Sequence, residues 1–140
     1  MKAEIFLPED YRPAESEPFM NDLQLEYFRR KLIVWKQELL GQSAETIDNL
    51  QDSARSVPDL ADRASEETDR ALELRTRDRQ RKLVSKIDSA LRRIENGEFG
   101  YCEVSGEPIS LKRLDARPIA TMTLEAQERH ERREKIHRDD

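Results

Sequence analysis

In LEYFRRKLIVWKQEL, residues 25–39, the apolar side chains fall at Leu25, Phe28, Leu32, Trp35 and Leu39. Steps of three and four put them on one face of a helix, at the spacing of a heptad seam. Asn21 is a candidate cap ahead of this run, and Gln24, three residues later, is placed to return the bond. The stripe weakens between Gly41 and Ala44 and resumes at Ile47, Leu50 and Ala54. Pro58 ends the helix because it disfavours helical backbone at Val57, and Asp59 is placed to cap the next one. No proline or glycine then occurs from Leu60 to Asn96. A second stripe reads Ala61, Ala64, Thr68 and Ala71 or Leu72, then Leu83, Ile87, Ala90 and Ile94, with Gly97 as the stop signal. At ~1.5 Å per residue this second helix extends roughly 50 Å. Two long helices with one narrow apolar face each, joined by a tight turn, predict an antiparallel coiled-coil hairpin over residues 21–97 with its tip near 57–64.

The flanks differ. Residues 1–20 carry Pro8, Pro13 and Pro18 and read as an irregular arm. Ile5, Phe6, Leu7, Tyr11 and Phe19 are able to pin it to an apolar surface; a disordered arm is the other reading. Residues 98–122 change character, with Phe99, Gly100, Tyr101, Gly106, Pro108 and Pro118 marking turns and short extended pieces. From Thr123 to about Ile136, in the closing segment 123–140, composition becomes helical again and almost wholly charged, which predicts weak packing or fraying.

Composition narrows the class. Of 140 residues, 36% are hydrophobic, 6% aromatic and 39% charged, too few apolar groups for a thick core but enough for a two-helix seam. The single cysteine, Cys102, excludes an internal disulfide and a multi-cysteine zinc site. No apolar run reaches membrane-spanning length, and MKAEIFLPEDYRP lacks the apolar core of a secretory signal, so a soluble cytoplasmic protein is expected.

The net charge of −5 hides a segregation. Residues 45–69 hold eight acidic side chains against two basic, a net of −6 around the tip, and residues 70–93 hold nine basic against three acidic, a net of +6. Carboxylates are hard oxygen ligands suited to the neighbourhood of Mg²⁺, while the basic stretch suits phosphates or partner carboxylates. Catalysis finds little support. His130 and His137 lie in the polar tail, Cys102 has no nearby histidine in sequence, and Asp59 with Asp62 sits at an exposed turn with nothing to separate two pKa values.

Three motifs stand out. One is Pro58-Asp59-Leu60-Ala61-Asp62-Arg63-Ala64. Another is Leu72-Glu73-Leu74-Arg75-Thr76-Arg77-Asp78-Arg79-Gln80-Arg81-Lys82-Leu83. The third is Phe99-Gly100-Tyr101-Cys102-Glu103 followed by Arg113-Leu114-Asp115-Ala116-Arg117-Pro118. Together they resemble the DksA/TraR family of bacterial transcription factors, the first being similar to the family's DxxDRA tip. The resemblance runs from about Asp10 almost to the C-terminus. It implies a mainly α fold: a long coiled-coil hairpin on a small globular base built from the arm, a degenerate zinc-finger-like region and a C-terminal helix. It implies a monomeric, non-enzymatic factor without sequence-specific DNA binding. Such a factor inserts its tip into the secondary channel of RNA polymerase and alters promoter complexes, including those of ribosomal RNA promoters in the stringent response. Asp59, Asp62, Arg63 and Ala64 become the tip residues near the polymerase active centre, and Arg75, Arg77 and Arg79 the contacting shaft. Leu83, Lys86 and Arg117 become positions for the effector ppGpp, with Gln127 standing where the family carries a further lysine.

The family's four zinc cysteines align with Cys102, Ser105, Thr123 and Ala126. Hydroxyls are poor zinc ligands and alanine is none, so zinc is not expected and no other cofactor is expected to bind tightly. The base is then expected to hold by packing of Phe99, Tyr101, Ile109, Leu111, Leu114, Ile119, Met122 and Leu124. Two other readings of the same residues stay open: a Gre-like channel factor that promotes transcript cleavage, and a coiled-coil adaptor with no transcriptional role.

Overall fold

The computed structural model describes the backbone of residues 5–55 and 60–139, with side chains at 46, 50, 53–55, 60–62, 138 and 139 left out. Its elements are α1 (Asp22–Arg55), α2 (Leu60–Glu95), α3 (Leu111–Ala116) and α4 (Leu124–Asp139). No strand occurs among the described residues; Tyr101 and Pro108 form an isolated antiparallel bridge. The chain divides into two compact units, one of Met1–Leu32 with Ser89–Asp140 and one of Ile33–Asp88.

Helix α1 starts where the cap was expected, with a change in the return bond. The Asn21 side-chain oxygen accepts from the Gln24 amide at 2.8 Å, but Gln24 Oε1 accepts from the amide of Met20, also at 2.8 Å. The Asn21 amide is already bonded to the Pro18 carbonyl at 3.3 Å, and Met20, in left-handed backbone at φ 54°, supplies the free donor. Gln24 is fully buried and reaches back through Nε2 to the Ala14 carbonyl, so one side chain starts the helix and holds the arm. Helix α2 stops at Gly97, whose φ of 74° lets the amides of Glu98 and Phe99 fold back onto the Arg93 carbonyl.

In the unit Ile33–Asp88 the two helices run antiparallel. Lys36 pairs with Asp88 at 2.7 Å and Ser43 donates to Gln80 at 3.2 Å, so seven residues forward on α1 match eight back on α2. Leu39 and Ile87 are buried, with Trp35, Ile47 and Leu83 half-buried. The predicted stripe fails on the first half of α2: Ala64, Thr68, Ala71 and Leu72 are exposed. Between Arg63 and Arg79 only Glu66 and Glu73 are partly covered, and they lie two heptads and one heptad before buried Gln80. The seven-residue step that puts Ile87 and Gln80 in the seam continues to these glutamates, because register follows the best-buried apolar residues and not scattered alanines. Leu50, Ala54 and Ala61 lie outside the described side chains.

In the other unit the core is Phe28, Leu32, Ile94, Phe99, Ile109, Leu114 and Ile119, at roughly 1.5–3 kcal/mol for each fully buried large side chain. Phe28 and Phe99 rings meet at 5.5 Å, and arm residues add edge-on contacts, Tyr11 on Tyr27 at 6.1 Å and Phe19 on Tyr101 at 5.3 Å. The arm is thus held by its aromatic rings, while Phe6 stays exposed. The packing list read from sequence needs correction at two places. Tyr101 is 38% and Leu124 53% exposed, and Cys102, Ala120 and Ala126 are buried instead. Cys102 and Ala120 lie in the irregular segment and Ala126 on the inner side of α4, whereas Leu124 opens α4 on its solvent side. Helix α3, absent from the sequence reading, is capped by Ser110, whose hydroxyl accepts from the Arg113 amide at 3.1 Å.

Gly100 fixes how the arm docks. Its φ is 92°, and a Cβ there would stand 2.8 Å from Met20 Cε and 3.2 Å from Phe19 Cζ. Gly100→Ala therefore meets backbone strain and forces the end of the Met20 side chain to shift. We expect a loss of about 1–3 kcal/mol in thermal or denaturant unfolding. The arm is also expected to become sensitive to limited proteolysis near Phe19.

Candidate functional site

The tip read from sequence falls largely outside the described residues: Asp59 altogether, and Asp62 in its side chain. Arg63 and Ala64 are exposed on α2. Along the same helix Arg75, Arg77 and Arg79 are exposed, and helical spacing sorts the cations into two rows. Arg75, Arg79, Lys82 and Lys86 step by four, three and four along one side; Arg70, Arg77 and Arg81 step by seven and four along another. The rows flank the seam that carries Gln80 and Ile87. Arg81 has a weak partner in Asp78 at 3.5 Å, and both are well exposed, so the pair does little to neutralise its row.

The three positions suggested for ppGpp divide between the units. Leu83, half-buried, and Lys86, exposed, belong to Ile33–Asp88, and Arg117 belongs to the other unit. Arg117 is exposed, but its backbone is fixed. Its amide donates to the Arg113 carbonyl at 2.8 Å, its own carbonyl accepts from Ala120 at 3.0 Å, and Pro118, Ile119 and Ala120 behind it are buried. It borders an open cavity of about 770 Å³ together with Phe19, Ile109, Leu111, Lys112 and Leu124. Gln127 is half-buried and donates to Glu131 at 3.0 Å.

Two residues ahead of Arg117, Asp115 ties this turn to α1, a role the sequence reading missed. Tyr27 donates its hydroxyl to Asp115 Oδ1 at 2.6 Å, and Lys31 Nζ lies 2.7 Å from the same oxygen while also donating to the Asp115 carbonyl. Burial alone would raise the Asp115 pKa; the bonds from Lys31 and Tyr27 and the charges of Lys31 and Arg12 outweigh it and hold the carboxyl below the usual range. Burial, then the bond to and charge of Asp115, push the Tyr27 phenol up to about 12. The only sequence signal for this cluster was the Arg113–Pro118 motif itself, since Tyr27 and Lys31 lie more than eighty residues away.

The four degenerate zinc positions come together. Cys102 Sγ, buried, accepts from the Ser105 amide at 3.5 Å, and Thr123 Oγ1 accepts from the Ala126 amide at 3.2 Å, capping α4. Burial would raise the Cys102 thiol, but bonds from the Ser105 hydroxyl and the amides of Ser105, Thr123 and Val104 prevail and bring it down to about 6. A ring of amides around sulfur is suited to stabilising a thiolate. The other three positions do not fit zinc. The Ser105 hydroxyl accepts from the Glu107 amide at 3.3 Å, the Thr123 hydroxyl is used as a cap, and Ala126 has no donor atom. Among the described residues no group of three or more His, Cys, Asp or Glu is arranged to hold a metal ion.

Comparison with known proteins gives the class. The model "DnaK suppressor protein DksA, N-terminal domain" matches residues 24–94, and "Prokaryotic dksA/traR C4-type zinc finger" matches residues 97–132. The chain belongs to the DksA family. A relative from Caulobacter vibrioides, named RNA polymerase-binding transcription factor DksA, is 70% identical over 94% of this chain and 92% of its own length. The factor of the same name from Escherichia coli K12 is 42% identical, covering 91% of this chain and 84% of its own. The solved structure of transcription factor DksA2 from Pseudomonas aeruginosa superposes with a TM-score of 0.80 at 40% identity, over 86% of this chain and 95% of that one. No helix among the described residues is long and apolar enough to cross a membrane.

Proposed function

We propose that this chain is an RNA polymerase-binding transcription factor of the cytoplasm, acting as a monomer and not as an enzyme. The observation that carries the reading is the 70% identity to a Caulobacter factor of that name across nearly the whole of both chains. In this reading Asp59 and Asp62, with Arg63 and Ala64, act close to the polymerase active centre. Arg75, Arg77 and Arg79 meet partner carboxylates or nucleic-acid phosphates from the cationic rows of α2. Leu83, Lys86 and Arg117 serve the effector ppGpp, two cations for phosphates and one apolar contact. A fixed backbone at Arg117 supports this, because a guanidinium on an ordered turn loses less freedom on binding. Gln127 supplies no charge where the family carries lysine, so the response to ppGpp is expected to be modest.

The test is binding to the cognate polymerase and transcription from a ribosomal RNA promoter, with and without ppGpp. We expect binding and repression, with ppGpp strengthening repression. Lys86→Ala and Arg117→Ala are expected to bind normally and to lose the ppGpp increment. Absence of binding to purified polymerase overturns the reading.

We also infer that the base holds without zinc, since three of the four ligand positions carry no usable donor. Metal analysis of purified protein should find well under one zinc per chain. A strong chelator should leave the melting temperature unchanged; a stoichiometric zinc whose removal unfolds the base would contradict this.

A further inference from the structure

Helix α3 is six residues long, too short to keep its own ends in order. Its order is supplied from outside. Leu111 and Leu114 are buried on its inner side, and Arg113 donates through Nε to the Met122 carbonyl at 3.0 Å. Asp115, two residues on, points to nearly the opposite side of the helix and reaches α1 instead. Tyr27 and Lys31, one turn apart on α1, share the face that meets it. Tyr27 donates to Asp115 Oδ1 at 2.6 Å, and Lys31 Nζ lies 2.7 Å from the same oxygen. Lys31 also donates to the main-chain carbonyl of Asp115. That carbonyl is in the last turn of α3, where helix carbonyls have no partner within the helix.

The grip bears on Arg117. The helix ends at Ala116, and Arg117 follows as its C-cap, with its amide on the Arg113 carbonyl and its carbonyl accepting from Ala120. Among the described residues the Arg117 guanidinium has no hydrogen-bond or ion-pair partner. Its backbone is therefore fixed while its charged end stays available on the border of the cavity. Stability alone gives a poor reason for the grip. The Asp115 and Lys31 side chains are 45% and 38% exposed, and ion pairs so exposed stabilise a fold little. What the three bonds do fix is where the last turn of α3 sits, gripped by both the side chain and the main chain of one residue.

We propose that Tyr27, Lys31 and Asp115 are positioning residues for Arg117: by fixing the last turn of α3 they present its guanidinium to the phosphates of the effector. This role rests on the reading of Arg117 as a ppGpp contact. Backbone freedom that the Arg117 turn gains without the grip has to be lost again on binding, so the effector binds more weakly while contacts made elsewhere are unchanged. The Tyr27 ring is itself held, edge-on to Phe28 at 5.2 Å and to Tyr11 at 6.1 Å, with Lys31 Nζ 5.8 Å from its centroid. Tyr27→Phe keeps the ring and removes only the hydroxyl that reaches Asp115.

The ppGpp concentration giving half of the added repression at a ribosomal RNA promoter tests this, read beside repression without ppGpp and affinity for polymerase. Tyr27→Phe should raise that concentration by about 2–10-fold, and Lys31→Met, which removes both bonds to Asp115, by about 5–10-fold. Lys31→Arg keeps the charge and the donors and should stay within about twofold. Repression without ppGpp and polymerase affinity should change by less than about twofold in all three. Ile94→Val trims a buried side chain of the same unit; it should lower stability and leave the ppGpp concentration within about twofold. Hydrogen exchange at the Arg117 amide, followed by NMR, should quicken at least about tenfold in Lys31→Met. The positioning role is overturned, with the effector reading left standing, by any of three results: an unchanged ppGpp dependence in Tyr27→Phe and Lys31→Met, an unchanged Arg117 exchange, or a shift by Ile94→Val as large as theirs. A protein with no ppGpp increment, or one that Arg117→Ala leaves intact, overturns the effector reading and the positioning role together.

Discussion

Asp62→Asn is expected to leave polymerase binding intact and to remove most of the effect on transcription, with Asp59→Asn doing the same. Asparagine keeps the shape and an acceptor oxygen but loses the charge, so the substitution isolates electrostatics from packing. The charge count supports the choice: residues 45–69 carry a net of −6, concentrated around the turn. Carboxylates are hard ligands that act on Mg²⁺ or on cations nearby, and the interaction strengthens where water is excluded. Losing one such desolvated charge contact costs about 2 kcal/mol or more, roughly a 30-fold loss in effect. The measurement pairs a competition assay for polymerase binding with run-off transcription from a ribosomal RNA promoter. Unchanged repression by both variants would remove the assigned role of the tip.

Ile109→Ala should have the largest effect on stability. Ile109 is fully buried in a loop of the base, its amide bonded to the Gly100 carbonyl at 2.7 Å. Truncation leaves a cavity under a loop whose backbone is bonded to Gly100, where Met20 and Phe19 of the docked arm pack. Such changes cost about 2–5 kcal/mol, a large share of the ~5–15 kcal/mol available to a domain. Denaturant unfolding followed by circular dichroism should show a lower midpoint and a loss of unfolding free energy of that size. Val104→Ala, at a 67% exposed position of the same region, should stay within about 0.5 kcal/mol and serves as control. A midpoint for Ile109→Ala equal to that of the control would show that the loop is not part of the core.

Much of the architecture was legible because helices are local. The three-and-four stepping of Phe28, Leu32 and Leu39, the break at Pro58 and the stop at Gly97 depend on neighbours within a turn or two. The structure starts α1 at Asp22 and ends α2 at Glu95, each within a residue or two of the expected limit, while Pro58 lies outside the described residues. The candidate tip and cationic stretch were legible for another reason: their signal is a run of chemistry along the chain. The register on the first half of α2 was misread because alanines and threonines are weak seam residues. Only the facing helix, through Gln42 and Ser43 on Gln80, decides which side of α2 turns inward.

By itself, then, the sequence determined the two long helices, the segregation of charge and the loss of three zinc ligands, all properties of residue type and short-range spacing. The tertiary structure alone decided four things. It set the seam of carboxylates beyond Gln80, and it brought Tyr27 and Lys31 to Asp115 beside Arg117. It packed Met20 and Phe19 on Gly100, and it buried Cys102 among amides. Each of these joins residues whose mutual distance no local periodicity encodes, because it follows from how separate elements pack once the backbone has closed.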